Sequence, residues 1–258
     1  MRHIYTLLFT ICSFAGFSQH NMSLGYSLGA PQQQMNENIN PLHNLSAAIF
    51  FQIPGLGKRL QLGAEGQWGS YASTQKEQTF NFGNGTSTRT MVNYSSNVLQ
   101  GAATARVLLL TNKKITPFLN AKAGYASFYS SIFIEDPHDP DGCHPLDQKT
   151  LLKDGTLMTG YGGGLQIDWS LFRPKCDKNR GWIDLRVQNI RGGSLDYINT
   201  RKLIDASAPP PPGEDGKAVS VKFINATTNE IHEHQVAEVY TTPLRMLEFK
   251  LSWVFVLD

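Results

Sequence analysis

The chain has 258 residues, 41% hydrophobic and 17% charged, with a formal net charge of +2. Beyond the N-terminus no run of about 18 apolar residues occurs, so the sequence offers no spanning helix. A barrel strand is not excluded, because it needs only about 9–11 residues with alternate ones apolar. The near-neutral balance gives no electrostatic ground for nucleic-acid binding.

The first segment differs from the rest. Arg2 and His3 precede an apolar stretch over 4–17, followed by Ser18 and Gln19. A positive start and a short apolar core read as a cleavable secretory signal over 1–19, leaving 20–258 as one domain. Removal takes Cys12 with it and leaves Cys143 and Cys176.

Period-2 alternation then dominates, and it predicts eight strands near 21–29, 43–52, 60–71, 97–109, 116–133, 157–171, 181–193 and 243–257. The third strand sets Leu60, Leu62, Ala64, Gly66 and Trp68 against Gln61, Gly63, Glu65, Gln67 and Gly69. The sixth sets Tyr161, Leu165, Ile167, Trp169 and Leu171 against Gly162, Gly164, Gln166, Asp168 and Ser170. The last sets Leu247, Phe249, Leu251, Trp253, Phe255 and Leu257 against Glu248, Lys250 and Ser252. In the parts assigned to the bilayer the apolar faces carry no charge, as a lipid-facing wall requires, where a midplane Lys or Arg costs about 2–4 kcal/mol.

The links between strands decide which way the apolar faces turn. Those over 53–59, 111–115 and 173–180 are short, and those over 30–42, 72–96, 134–156 and 194–242 are long. Strict alternation of short and long is the asymmetry of tight periplasmic turns and extended outer loops. A soluble sandwich has no reason to put every long link at one end. The expected fold is therefore all-β: an eight-stranded antiparallel up-and-down transmembrane β-barrel with long extracellular loops. Trp169, Trp253 and Phe255 fall near its periplasmic edge, and Trp68, Tyr125 and Tyr129 near its outer edge, where aromatic belts form.

Four stretches carry a family likeness. They are Gly16-Phe17-Ser18-Gln19, the opening strand Met22-Ser23-Leu24-Gly25-Tyr26-Ser27-Leu28-Gly29, the run Gly160-Tyr161-Gly162-Gly163-Gly164, and the closing strand through Trp253 and Phe255. Together they resemble the eight-stranded outer-membrane barrels of the OmpA and OmpX type. More loosely, they are similar to the small outer-membrane β-barrel-domain proteins of Bacteroidota. The resemblance covers the whole mature chain and lies in pattern. It implies a Gram-negative outer-membrane location and contact with outer-membrane lipids.

The inward positions hold Glu65, Asp168, Asp184 and Glu248 together with Arg106, Lys122, Arg186 and Lys250. An eight-stranded interior is just wide enough to be filled by side chains, so these charges are expected to pair as a polar plug. The competing use of such a set is an ion or proton path. Among the links, Asp136-Pro137-His138-Asp139-Pro140-Asp141-Gly142-Cys143-His144 gathers acids and histidines, but Pro137 breaks the calcium-loop pattern. His232 and His234 share one face of the stretch 219–240, read as a surface hairpin bent at 225–229 within the long link 194–242; Pro209-Pro210-Pro211-Pro212 is a stiff spacer before it. Metal binding in 134–156 or 230–234 stays open. His43 or His138 beside a serine lacks any nucleophile motif, so the sequence assigns no catalytic residue, no cofactor and no metal ligand.

Lys58, Arg59, Lys113, Lys114, Arg173, Lys175, Lys178 and Arg180 crowd the short turns against Asp177 alone, which suits lipid headgroups or an acidic envelope partner. The expected role is a non-enzymatic barrel acting as a surface-binding protein or an accessory subunit of an envelope complex. A narrow solute channel is the alternative, and a loop-sited enzyme a third reading.

Cys143 precedes the sixth strand and Cys176 follows it. A strand over 156–172 spans on the order of 50 Å at ~3.3 Å per residue, and roughly 35 Å after a tilt of ~45°. A disulfide needs Cα atoms within about 7 Å. A membrane-impermeant maleimide on intact cells is therefore expected to label Cys143 and spare Cys176 until the outer membrane is permeabilised. An intramolecular bond between the two would contradict this strand order.

Overall fold

Alternating side chains make a half-buried sheet, and here the sheet closes on itself. The computed structural model describes residues 20–53, 59–81, 87–110, 113–134, 147–172, 181–203, 218–224 and 231–257. The expected signal over 1–19, both cysteines of the mature chain and the acidic run 136–144 lie outside the described residues. The strands are β1 (His20–Pro31), β2 (Leu42–Gln52), β3 (Leu60–Asn81), β4 (Ser87–Leu108), β5 (Ile115–Ile134), β6 (Asp147–Asp168), β7 (Gly181–Leu203), β8 (Ala218–Ile224) and β9 (Ile231–Leu257). A short helix, α1 (Gln34–Asn38), follows β1, and a 3₁₀ turn (Trp169–Leu171) replaces the expected end of the sixth strand.

The hydrogen-bonded order is β1-β2-β3-β4-β5-β6-β7-β9, all neighbours antiparallel, and β1 pairs back onto β9 from His20↔Leu257 to Pro31↔Met246. This is a closed eight-stranded up-and-down barrel. β8 lies outside that ring, paired with β9 from Ala218↔Glu238 to Ile224↔Ile231. It takes the flank of β9 that β1 occupies lower down.

Strand length separates two storeys. β1 and β2 have 12 and 11 residues. At ~3.3 Å per residue and a tilt of ~45° that is about 28 Å of height, close to the ~25 Å apolar band of a membrane barrel. β3, β4 and β6 have 22 residues each and β9 has 27. They rise roughly twice as far. Much of the long links 72–96, 134–156 and 194–242 is therefore strand, continuing the barrel wall upward at the end away from the short turns.

α1 stands over the lumen at that upper end. Five residues do not hold a helix by themselves. Met35 and Ile39, one turn apart, are fully buried among Leu42, Tyr197, Leu244 and Met246. Burying two such side chains is worth ~3–6 kcal/mol at most, which anchors the turn. Gln33, at φ 55, makes the reversal out of β1, and the Gln32 N–H donates to the Arg245 carbonyl (2.9 Å).

The glycine run of β6 has a packing reason. Gly160, Gly162 and Gly164 point inward, and a Cβ on Gly162 would collide with the Val187 carbonyl of β7. At Gly160 it would lie 2.7 Å from Ile190 Cδ1 and 3.0 Å from Lys122 Cγ. The bare wall of β6 is the space into which the long side chains of β5 and β7 lie. Gly162→Val is expected to destabilise the barrel by about 1–3 kcal/mol through overpacking, measured as a lower urea midpoint in lipid vesicles; an unchanged midpoint would show that the wall has slack.

Candidate functional site

The candidate site is the lumen and the rim above it, built from the inward residues of seven strands. Glu65 of β3 is its centre. Its carboxylate accepts from Arg186 Nη2 at 2.7 Å, Lys250 Nζ at 2.9 Å and Lys122 Nζ at 3.2 Å. Glu248 accepts from Lys122 Nζ (3.1 Å) and lies 3.4 Å from Arg186 Nη2, and Gln67 Nε2 donates to both carboxylates at 2.7 and 3.0 Å. One layer below, Arg106 Nη1 lies 2.7 Å from Asp184 Oδ2. The Arg106 guanidinium is sandwiched between Phe50 and Phe118, 4.3 and 4.1 Å from their ring centroids. Cation–π contacts of this kind are worth up to ~2 kcal/mol when desolvated.

Seven of the eight expected lumen charges thus come together, all buried. Asp168 does not join them. It sits at the end of β6 and caps the 3₁₀ turn, accepting from the Ser170 N–H at 2.7 Å. Expecting four acids against four bases, the sequence overlooked that a strand end is free to turn out of the lumen. The buried set holds four cations and three acids, which is why one carboxylate must serve three donors.

Above this layer the interior changes character. Tyr71, Val98, Ala126, Phe128, Met158, Ile190, Leu195, Tyr197, Leu244 and Met246 form an apolar core, closed by Met35 of α1 and Ile39 just after it. A few hydroxyls are satisfied within it, Tyr197 with Thr242 (3.0 Å) and Ser96 with Ser130 (2.7 Å). This second plug was missed, since 30–42 reads as a link. The available signal was the four-residue spacing of Met35 and Ile39 in an otherwise polar segment.

The outer wall changes at the same level and in the opposite sense. On β4 the outward residues are Val107, Ala105, Ala103, Gly101 and Leu99, then Asn97, Ser95 and Asn93; the inward ones are Arg106, Thr104 and Gln100, then Val98, Tyr94 and Val92. β9 repeats the switch between Lys250 and Glu248 below and Met246 and Leu244 above. Below the line the barrel is apolar outside and polar inside; above it, the reverse. Aromatic contacts mark both borders. Trp169 lies 4.2 Å from Trp253, and Trp253 6.0 Å from Phe255, at the lower end. Trp68 Nε1 donates to Tyr129 (3.1 Å), and Tyr26 hydrogen-bonds His43, at the upper end.

Of the other expected positions, Arg59, Lys113 and Lys114 are exposed at the lower end, while the remaining turn charges lie outside the described residues. His232 and His234 stand opposite Phe223 and Val221 in the β8–β9 ladder. His43 lies on the outer wall with Tyr26 as partner, away from the lumen.

No family model matches the sequence, and no curated protein matches it. Among solved structures the chain is similar to neisserial surface protein A, at 10% identity and a TM-score of 0.39, covering 93% of this chain and 97% of that one. It is also similar to Ail, the attachment invasion locus protein of Yersinia pestis, at 9% identity and a TM-score of 0.36, covering 93% and 99%. The transport unit of the autotransporter AIDA-I from Escherichia coli aligns at 11% identity and a TM-score of 0.32, covering 93% and 90%. The barrel itself is established by its closed strand ladder.

Removing one partner of a buried charge set leaves the others uncompensated, at a cost of about 3–5 kcal/mol. Glu65→Ala is expected to lower stability by that order, and Asp168→Ala by much less. Denaturant unfolding in micelles, read by tryptophan fluorescence, measures both; equal effects would refute the central role of Glu65.

Proposed function

We propose that the chain is a non-enzymatic outer-membrane β-barrel whose lower storey anchors it in the bilayer and whose upper storey presents a binding surface outside the cell. The observation that carries this reading is the reversal of polarity at one level of the wall. Leu24, Leu45, Leu62, Leu99, Leu119, Leu185 and Leu251, from seven strands, face outward and are exposed. Exposed apolar area on that scale marks an interaction with lipid or protein, and a continuous ring around a closed barrel suits lipid. Above the ring the wall has an apolar inside and a polar outside, as a sheet in water does.

A channel is the weaker reading, because the lumen is filled twice, by the Glu65 charge layer and by the apolar core under α1. A catalytic reading has no nucleophile motif behind it, and His43, one of the two histidines weighed for it, hydrogen-bonds Tyr26 on the exposed outer wall. What remains is a sealed anchor carrying four tall strands (β3 to β6) and the smaller β7-β9-β8 sheet above the membrane. Outer-membrane lipids contact the lower storey, and another envelope or surface macromolecule is the expected partner of the upper one.

Purified protein in detergent is expected to stay β-rich by circular dichroism, to change gel mobility on boiling, and to give no stable conductance in planar bilayers. A soluble monomer that needs no detergent would overturn the membrane anchor. A steady single-channel conductance would replace the sealed plug with a pore.

A further inference from the structure

β7 and β9 carry two cross-strand pairs of like charge, one on each side of the wall. Inside, Arg186 faces Lys250, and outside, Arg191 faces Arg245. Like charges directly opposite in a ladder repel, so each pair needs a counter-charge. The inner pair has one: Glu65 lies 2.7 Å from Arg186 and 2.9 Å from Lys250. The outer pair has no ion-pair partner among the described residues. Arg191 instead donates from Nε to Asn189 Oδ1 (3.2 Å) and lies 5.8 Å from the Tyr161 ring centroid, while the Arg245 side chain is exposed beside it.

Their height is specific. Among the described side chains Val187 and Phe249 are the last well-exposed apolar residues of the two strands and lie two same-face pairs below, and the inner face turns apolar at Ile190 and Met246 beside them. The pair therefore stands on the polarity boundary of the outer wall, the depth at which lipid headgroups begin. From the charge, the lack of a carboxylate partner among the described residues and this level, we infer that Arg191 and Arg245 bind the phosphate of an outer-leaflet lipid headgroup, with Tyr161 lying along the lipid below it. Guanidinium groups carried on two facing ladder positions offer more donors to the several acceptor oxygens of a phosphate monoester than a single ammonium would. The inference rests on the membrane-anchor reading proposed above.

The test uses the full barrel in dodecylmaltoside, titrated with bisphosphorylated lipid A and read by native mass spectrometry. The unaltered protein is expected to retain one lipid A, and the R191Q/R245Q variant to need roughly tenfold or more lipid for the same occupancy. Dephosphorylated lipid A should bind both forms equally weakly. The folded gel band before boiling checks the variant, and if the double change impairs folding, R191Q and R245Q singly are each expected to weaken binding several-fold. Equal retention by altered and unaltered protein would overturn the site. Displacement by inorganic phosphate at matching concentration would also overturn it, in favour of a soluble-anion site. A protein that takes up no detergent micelle in either form would sink the membrane anchor instead, whereas a micelle-bound barrel blind to the phosphates sinks this inference alone.

Discussion

Glu65 binds cations from β5, β7 and β9 at once, and the lower barrel is organised around that carboxylate. A wall that is apolar outside leaves its polar residues nowhere to go but inward. Inside an eight-stranded ring these lie within reach of one another, and an uncompensated charge there costs several kcal/mol. Glu65 resolves the conflict because it sits across the lumen from the strands that carry its partners. The glycines of β6 provide the room, since Lys122 lies along a wall with no side chains. Arg106 is held separately, by Asp184 and by two phenyl faces, so each layer of the lumen has its own means of neutralisation.

The upper storey is governed by the opposite rule. Once the strands pass the apolar ring, water is outside, and the same alternation must bury apolar groups inward. On β4 and β5 this happens without any change in the phase of the alternation; only the residue types on the two faces are exchanged. Val98 follows directly above Gln100 on the inner face of β4, and on β5 Phe128 follows Lys122 after the narrow transition of Gly124 and Ala126. β1 and β2 stop at this level, and α1 covers the part of the apolar core that they leave open.

Function follows from the contact between these two regimes. With the lumen filled by the charge layer and the apolar core, the outer wall and the surfaces above it are the faces left open to partners. At the upper boundary aromatic, polar and cationic side chains share the outer face, in Trp68 with Tyr129, Tyr26 with His43, and Arg191 with Tyr161. Such side chains fix the depth of a barrel by placing amphipathic or charged tips at the headgroups while their stems stay in the apolar layer.

The eight strands of the ring, their order and the facing of most apolar residues in the lower storey were legible from the sequence, because period-2 alternation and the short-long rhythm of the links are local properties. Leu99 and Val107 outward, Glu65 and Arg186 inward, follow from counting alone. The grouping of the lumen charges was legible as a set, but its architecture was not. That Glu65 takes three cations, that Arg106 lies between Phe50 and Phe118, and that Asp168 turns away to cap a 3₁₀ turn depend on which residues share a height. Height in a tilted barrel is set by the stagger between strands, which no single strand encodes. Met35 and Ile39 belonged to a link until the lumen beneath them proved apolar, and the facing of Arg191 and Arg245 exists only through the register of β7 on β9. In the lower storey sequence alone determined which side of the wall a strand residue occupies; the closed ladder decided its neighbours, because contacts between strands far apart in the chain are fixed by register and closure.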